Sequence, residues 1–153
     1  MRSYEAAEGD NELHIALSLG NLGAALLGQR KYEEAEHQLQ RAVRSLAAAQ
    51  MSDHPEAGRI ALLRAKVALG QEDFARCRTH AERAISVLTG ANGPLSERAD
   101  AKFMLARALW ADPAEHSRAH GLANEAHEVF EQQPAPNPLE DVSAQWLQSH
   151  PSP

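Results

Sequence analysis

Apolar residues recur along this chain at intervals of three and four, the spacing that gathers them on one side of an α-helix. Six clusters rich in Gly, Pro, Asn and Asp interrupt the pattern: "LGQRKY", "AQMSDHPEA", "LGQED", "TGANGPLS", "WADPAEHS" and "EQQPAPNP". The spacing predicts seven helices, Asn11 to Leu27, Tyr32 to Ala49, Pro55 to Leu69, Asp73 to Leu88, Pro94 to Trp110, Ala114 to Glu131 and Pro138 to Ser149, preceded by a disordered segment over residues 1–10. Pro55, Pro94 and Pro138 suit first-turn positions, where the missing N–H removes no helical bond, and Asn137 is placed as a cap with Glu140 three residues on. No stretch shows the strict alternation of a half-buried strand, so the fold class is all-α.

A longer period runs beneath the helical one. Tyr32, Phe74 and His116 are 42 residues apart, as are Ala35, Cys77 and Ala119; Leu39, Ala81 and Ala123; Ala42, Ala84 and Ala126; Val43, Ile85 and His127; and Leu46, Leu88 and Phe130. On the preceding helices Gly23, Ala65 and Ala106 align at intervals of 42 and 41, so the third copy carries one extra residue in its "WADPAEHS" turn. A core helix alone needs no small residue at fixed points, so the columns define a repeated pair of helices. The copies cover residues 11–50, 55–89 and 94–131, and Leu139, Val142 and Trp146 give the seventh helix, 138–149, one apolar face with which to cap the third.

"NLGAALLGQRKYEEAEHQLQRA" resembles the tetratricopeptide repeat, with its small residue in the first helix, an aromatic at the turn, and small, bulky and small residues along the second. The period is similar to the longer version seen in kinesin light chains and many bacterial regulators. Arg64 in place of Leu22 and Leu105, and His116 in place of the turn aromatic, depart from the pattern. The resemblance implies three helix hairpins in a right-handed superhelix with a capping helix. It also implies a concave groove, lined by the first helix of each hairpin, that holds a segment of a partner protein. Residues 99–130 and the short helix after them also look like the C-terminal tails of tetratricopeptide arrays on large bacterial serine/threonine kinases and related signalling proteins.

Composition supports helices packed through small side chains, with 43% hydrophobic residues but only 5% aromatic. The opening "MRSYEAAEGD" has no signal-like apolar core, and "RIALLRAKVALG" is broken by Arg64 and Lys66, so neither a signal peptide nor a membrane span is expected. Together with the single cysteine, this points to the cytoplasm. The net charge of −6 divides as −2 over residues 1–50 (five basic, seven acidic), +2 over 51–110 (nine, seven) and −6 over 111–153 (one, seven), which argues against nucleic acid as a partner.

Candidate chemistry is sparse. His116, His120 and His127 share one helical face, yet the outer two lie about 10 Å apart along the axis, too far for one ion, and two of them occupy packing columns. Cys77, with His80 close by, falls in a column otherwise filled by Ala35 and Ala119, where a substrate could hardly reach it. "GANGPL" lacks the lysine and preceding strand of a phosphate-binding loop, and "RKYEEAEHQLQR" reads as a solvated face with local charge pairs. No metal, cofactor or catalytic residue is expected, and the chain is expected not to be an enzyme.

What remains is the inner face of the first helices. Helical spacing gives it Leu17, Gly20, Asn21, Ala24 and Leu27 on copy one, Arg59, Leu62, Lys66 and Leu69 on copy two, and Phe103, Arg107 and Trp110 on copy three. Lys66 and Arg107 occupy equivalent positions and suggest an acidic protein or peptide anchored on Phe103 and Trp110. The known clamp for chaperone C-termini is not reproduced, because Gly20 and Ala24 stand where it needs Lys and Asn. The expected function is a protein-interaction scaffold within a signalling or regulatory protein. The alternative is an allosteric domain that senses a peptide or metabolite.

Overall fold

In the computed structural model residues 2–153 are described, with side chains from Tyr4 onward. Seven helices account for most of them: α1 (Arg2–Gly28), α2 (Tyr32–Ala48), α3 (Pro55–Gly70), α4 (Phe74–Gly90), α5 (Leu95–Leu109), α6 (His116–Glu131) and α7 (Pro138–Ser149), with a short 3-10 turn over Pro113–Glu115 before α6. No strand is present among the described residues, and none of the helices is long and apolar enough to cross a membrane. Of the ten residues expected to be disordered, Met1 lies outside the described residues, and Arg2 to Asp10 extend α1. Short-range helix propensity in "YEAAE" accounts for this extension, which the apolar pattern could not reveal because its side chains stay exposed. Pro94 sits one residue ahead of α5 as its cap position, whereas Pro55 and Pro138 open their helices as expected.

The period is written into the backbone. Arg30 and Glu72, 42 residues apart, both adopt left-handed φ, of 59° and 57°, and the residues after them repeat one closing bond, Lys31 N–H to the Leu26 carbonyl and Asp73 N–H to the Ala68 carbonyl. Gln50 and Asn92 do the same at φ of 57° and 52°, with Met51 bonded to Leu46 and Gly93 to Leu88. A left-handed residue after the last helical turn lets the next N–H reach back five residues to an orphan carbonyl, which stops the helix and turns the chain. The turn after α5 breaks the series. Its extra residue allows Asp112 to accept from Ala114 N–H at 3.0 Å and start the 3-10 turn instead.

Consecutive helices pack as α1 with α2, α3 with α4 and α5 with α6. Successive pairs meet through α2 with α3 and α4 with α5, and α3 also touches both α1 and α5. The predicted small columns sit where the helices of a pair meet: Ala35, Cys77, Ala119, Ala42, Ala84, Ala126, Ala65 and Ala106 are all fully buried. Gly23 answers a specific need, because a Cβ there would come within 2.6 Å of Leu39 Cδ2 and 2.7 Å of its Cγ. In copies two and three the Gly23 column becomes Ala65 and Ala106 while the Leu39 column becomes Ala81 and Ala123, all buried. One pair places its bulk on the second helix alone, and the other two share it.

The departure at Arg64 is also explained. Its guanidinium reaches from α3 to Glu36 on α2, with Nη2 at 2.6 Å and Nε at 3.0 Å from Oε1, and Arg76 of α4 donates to the same oxygen at 3.1 Å. Burial alone would raise the Glu36 pKa, but Arg64, Gln40 and Arg76 outweigh it and hold the carboxyl below its ordinary value. Three helices are thereby tied at one carboxylate. Leu105, in the same column, is buried and apolar, whereas Leu22 is 46% exposed because nothing among the described residues packs outside α1.

At the other end α7 closes the third pair. Trp146 meets Phe103 edge-on at 6.0 Å and Trp110 at 5.4 Å, and stacks on His150 at 4.2 Å. Ser143, fully buried, donates to the Glu140 carbonyl and so accepts from His127 Nδ1 at 2.8 Å, while Asn137 caps α7 and donates to the Phe130 carbonyl.

Two stability predictions follow from these contacts. Gly23→Ala should destabilise the chain by about 1–3 kcal/mol through overpacking, against a helix-propensity gain of about 1 kcal/mol, and Leu39→Ala, which costs about 2–5 kcal/mol at a buried site, should cost less in that background than in the wild-type chain. Urea unfolding of the single and double variants would show this as a coupled cycle; additive effects would mean that the two sites do not compete for space. Arg64→Leu restores the repeat pattern yet should destabilise by roughly 1–3 kcal/mol, because Glu36 keeps only the more exposed Arg76 as a cation beside the neutral Gln40, and Glu36→Gln in the same background should narrow the deficit.

Candidate functional site

One shallow depression, about 320 Å³, brings together residues from three helices: Lys66, Leu69 and Gly70 of α3, Asp100, Phe103, Met104 and Arg107 of α5, and Leu139 and Val142 of α7. Four of the residues expected on the inner face, Lys66, Leu69, Phe103 and Arg107, meet here. The period explains why, since Lys66 and Arg107 are equivalent and α3 and α5 lie side by side.

The other inner-face residues lie elsewhere. Asn21 is exposed on α1 and accepts from Arg59 Nη2 at 3.3 Å, while Arg59 is bound more closely to Glu56, at 2.6 Å. Ala24 is half-buried, outside the depression, and Gly20 is closed off by the Arg59 guanidinium, which a Cβ would meet at 2.6 Å. Leu62 is buried in the core. Trp110, expected as an accessible anchor, is half-buried and outside the depression, packed against aromatic rings: His116 stacks on it at 3.8 Å, and Trp146 and His150 meet it edge-on. Phe103 is fully buried and forms the floor. The apolar walls open to a ligand are therefore Leu69 and Leu139, both half-buried, and Val142, 43% exposed.

The electrostatics separate the two equivalent cations. Lys66 Nζ donates to Asp100 Oδ2 at 2.5 Å, bridging α3 to α5. Arg107 makes no hydrogen bond and no ion pair with any described residue; its guanidinium carbon lies 5.8 Å from the centre of the Phe103 ring. Burial lowers its pKa from the ordinary value, with Cys77 and Asp100 acting in the opposite sense, and a guanidinium stays charged in any case. Asp100 brings a second unmet demand: its side chain is only 8% exposed, and Oδ1 is buried with no partner. The depression thus holds a free fork of donors above an apolar floor, while the unpartnered Asp100 oxygen is closed off from its surface. Asp100 was not legible as a site residue, because an aspartate in mid-helix carries no signal until its partner is known.

The other chemistry-bearing residues are engaged in packing. A cavity of about 110 Å³ between α2, α3 and α4 is lined by Arg64, His80 and Arg83, but Arg64 serves Glu36 and Arg83 donates to the Ser52 carbonyl at 2.8 Å. His116 donates to the Trp110 carbonyl, His120 accepts from Asn124, and His127 bonds Ser143. Among the described residues no three His, Cys, Asp or Glu side chains are grouped to hold one ion. Cys77 is fully buried, its Sγ 3.7 Å from the Met104 carbonyl, and burial pushes its pKa up to about 11.

Cys77 should therefore react with a thiol reagent orders of magnitude more slowly in the native chain than in urea; comparable rates would place it at the surface. His80 gives a pH signature. Burial first, and Arg64 next, hold its pKa down at about 4, with Arg76 acting in the same sense and Glu36 and Asp73 opposing. The unfolded chain binds that proton near the ordinary value of 6.5, so stability should fall as pH drops from about 6.5 toward about 4. His80→Gln should flatten the urea midpoint across that window, and an unchanged slope would assign the loss to other groups. Comparison of the chain with protein-family models, curated proteins and solved structures gave no match.

Proposed function

We propose that this chain is a protein-interaction module built from three tetratricopeptide-like hairpins and a capping helix, holding a segment of a partner protein in the α3/α5/α7 depression. It has no reaction of its own in this reading. The carrying observation is that the repeat juxtaposes Lys66 and Arg107 but leaves only Arg107 without a carboxylate among the described residues. A lone guanidinium over an aromatic floor, rimmed by half-buried leucines and one exposed valine, is the arrangement that binding surfaces use for orientation and contact area. The 42-residue columns support the repeat assignment, since their small members are buried and their turns share backbone bonds. We further take the module for part of a signalling or regulatory protein, on the resemblance of its last hairpin alone.

A second reading, a domain that senses a peptide or metabolite, gains support from α7. Leu139 and Val142 belong to the cap and also to the depression wall, so an occupant would touch α5 and the cap together. Its differential contact with a docked and a displaced cap would be the source of any signal.

Displayed-peptide selection on the purified chain tests the site. Selected peptides should lose binding by about tenfold or more on Val142→Asp, which places a charge on the depression wall, and keep it on Leu22→Asp, at the opposite edge of the molecule. Both positions are exposed, so folding should survive either change. Loss at Leu22 with retention at Val142 would move the binding surface to α1.

A further inference from the structure

We infer that the cavity between α2, α3 and α4 is a second site, which binds a free aliphatic monocarboxylate of about three to five carbons. The carboxylate meets Arg64, His80 and Arg83, and the hydrocarbon end lies against Leu46, Ala57 and Ala61.

Helical spacing builds this site as it builds the core. Ala57, Ala61 and Arg64 follow at intervals of four and three on α3, and His80 and Arg83 at three on α4, so each set shares one side of its helix. Arg64 and Lys66 are two residues apart and point about 200° apart around α3, which puts the cavity and the depression on different sides of that helix. Leu46 and Ala61 are buried and form the floor, whereas Val43, 39% exposed, and Ser52 open the mouth to solvent.

The polar groups at the wall are only partly engaged. Arg64 donates from Nε and Nη2 to Glu36, and Arg83 from Nη2 to the Ser52 carbonyl. Arg64 Nη1, Arg83 Nε and Nη1, and both ring nitrogens of His80 have no hydrogen-bond partner among the described residues. The one carboxylate held closely, Glu36, serves both Arg64 and Arg76, at 2.6 and 3.1 Å. Asp53 and Asp73 stand 3.5 Å from Arg83 and 4.0 Å from Arg76, with side chains 92% and 39% exposed, where solvent screens them. Burial first, and Arg64 next, hold the His80 pKa at about 4, with Arg76 in the same sense and Glu36 and Asp73 opposing, so at neutral pH the uncharged ring offers one N–H.

Those open donors call for an anion, and a planar carboxylate matches a guanidinium edge. A phosphate dianion would set further charged oxygens against Leu46 and Ala61, where nothing can bond them. Size sets the chain length: about 110 Å³ is less than the roughly 150 Å³ apolar cavity that takes benzene, so an occupant of about six heavy atoms, butyrate, fits with its carboxylate toward the mouth. Stacking of the pairs does not itself require these side chains. At the junction of α4, α5 and α6 the positions of Arg64 and His80 are taken by Leu105 and Leu122, and that of Arg83 by Glu125, which pairs with Lys102 at 2.9 Å.

Sodium butyrate is the probe, added at pH 7 and constant ionic strength to the full chain with its histidine rings labelled for NMR. The His80 ring signals should shift saturably, with a dissociation constant on the order of a millimolar, and butyramide should bind about tenfold more weakly. Octanoate should bind no more tightly than butyrate at His80. Arg83→Gln, at a half-exposed position that should not disturb folding, should weaken butyrate about fivefold and narrow its advantage over butyramide. Ala57→Leu, which fills the cavity without touching a charge, should abolish the His80 shift. The wild-type measurements decide the matter even if that variant does not fold. Equal binding of butyrate and butyramide, or butyrate binding that leaves His80 unmoved, would overturn the site. An equal response to inorganic phosphate would make it a general anion site and overturn the aliphatic class. If N-acetylglutamate amide, which carries the same carboxylate on a peptide unit, binds as tightly as butyrate, the occupant is a partner's side chain and the free acid is overturned.

Discussion

The close approach of paired helices is the constraint from which the rest of the structure follows. Alanine and glycine at the crossing points let α1 lie against α2, α3 against α4 and α5 against α6, and the Gly23–Leu39 contact leaves no room for even one methyl group. Interiors are packed near the density of organic crystals, so such a distance is set by side-chain volume and cannot relax freely. Holding the pairs close brings their first helices side by side, and α3 and α5 then present a common face. The depression is a consequence of spacing in the core.

On that scaffold the charges fall into two groups. Arg64 and Arg76 converge on Glu36 and Lys66 on Asp100, tying one helix to another, whereas Arg59 pairs with Glu56 within α3. Such pairs hold register more than they add stability, since removing water from both partners offsets much of the attraction. Arg107 has no carboxylate partner and lines a depression whose rim includes an exposed valine, and Arg98 Nε and Asp100 Oδ1 are buried without hydrogen-bond partners. Unmet hydrogen-bonding capacity that is concentrated in one concave place distinguishes a site from a surface.

Much of this fold could be read from the chain because its two periods are independent and agree. Apolar spacing located the seven helices, with α7 correct to the residue, and the 42-residue columns identified the small side chains that are buried between them. The N-terminal turns of α1 escaped because Tyr4 and its neighbours contribute no apolar face to the core. The site was legible only in part. Periodicity placed Lys66, Leu69, Phe103 and Arg107 on one face, since equivalent positions of stacked copies must adjoin. It could not show that Asp100 takes up Lys66, that Trp110 packs against His116, Trp146 and His150 outside the depression, or that α7 lends Leu139 and Val142 to the wall. Those facts depend on side-chain directions and on where the cap folds back, and a period carries information about neither.

The central claim is that the face shared by α3, α5 and α7 is the one that meets a partner. Amide chemical-shift mapping of the isotopically labelled chain, titrated with a peptide obtained by the displayed-peptide selection, tests it most directly. The account predicts shifts that cluster at Leu69, Asp100, Met104, Arg107, Leu139 and Val142, with Arg41 and Arg44 on α2 unmoved. Saturable shifts confined to α2, α4 and α6 would contradict it.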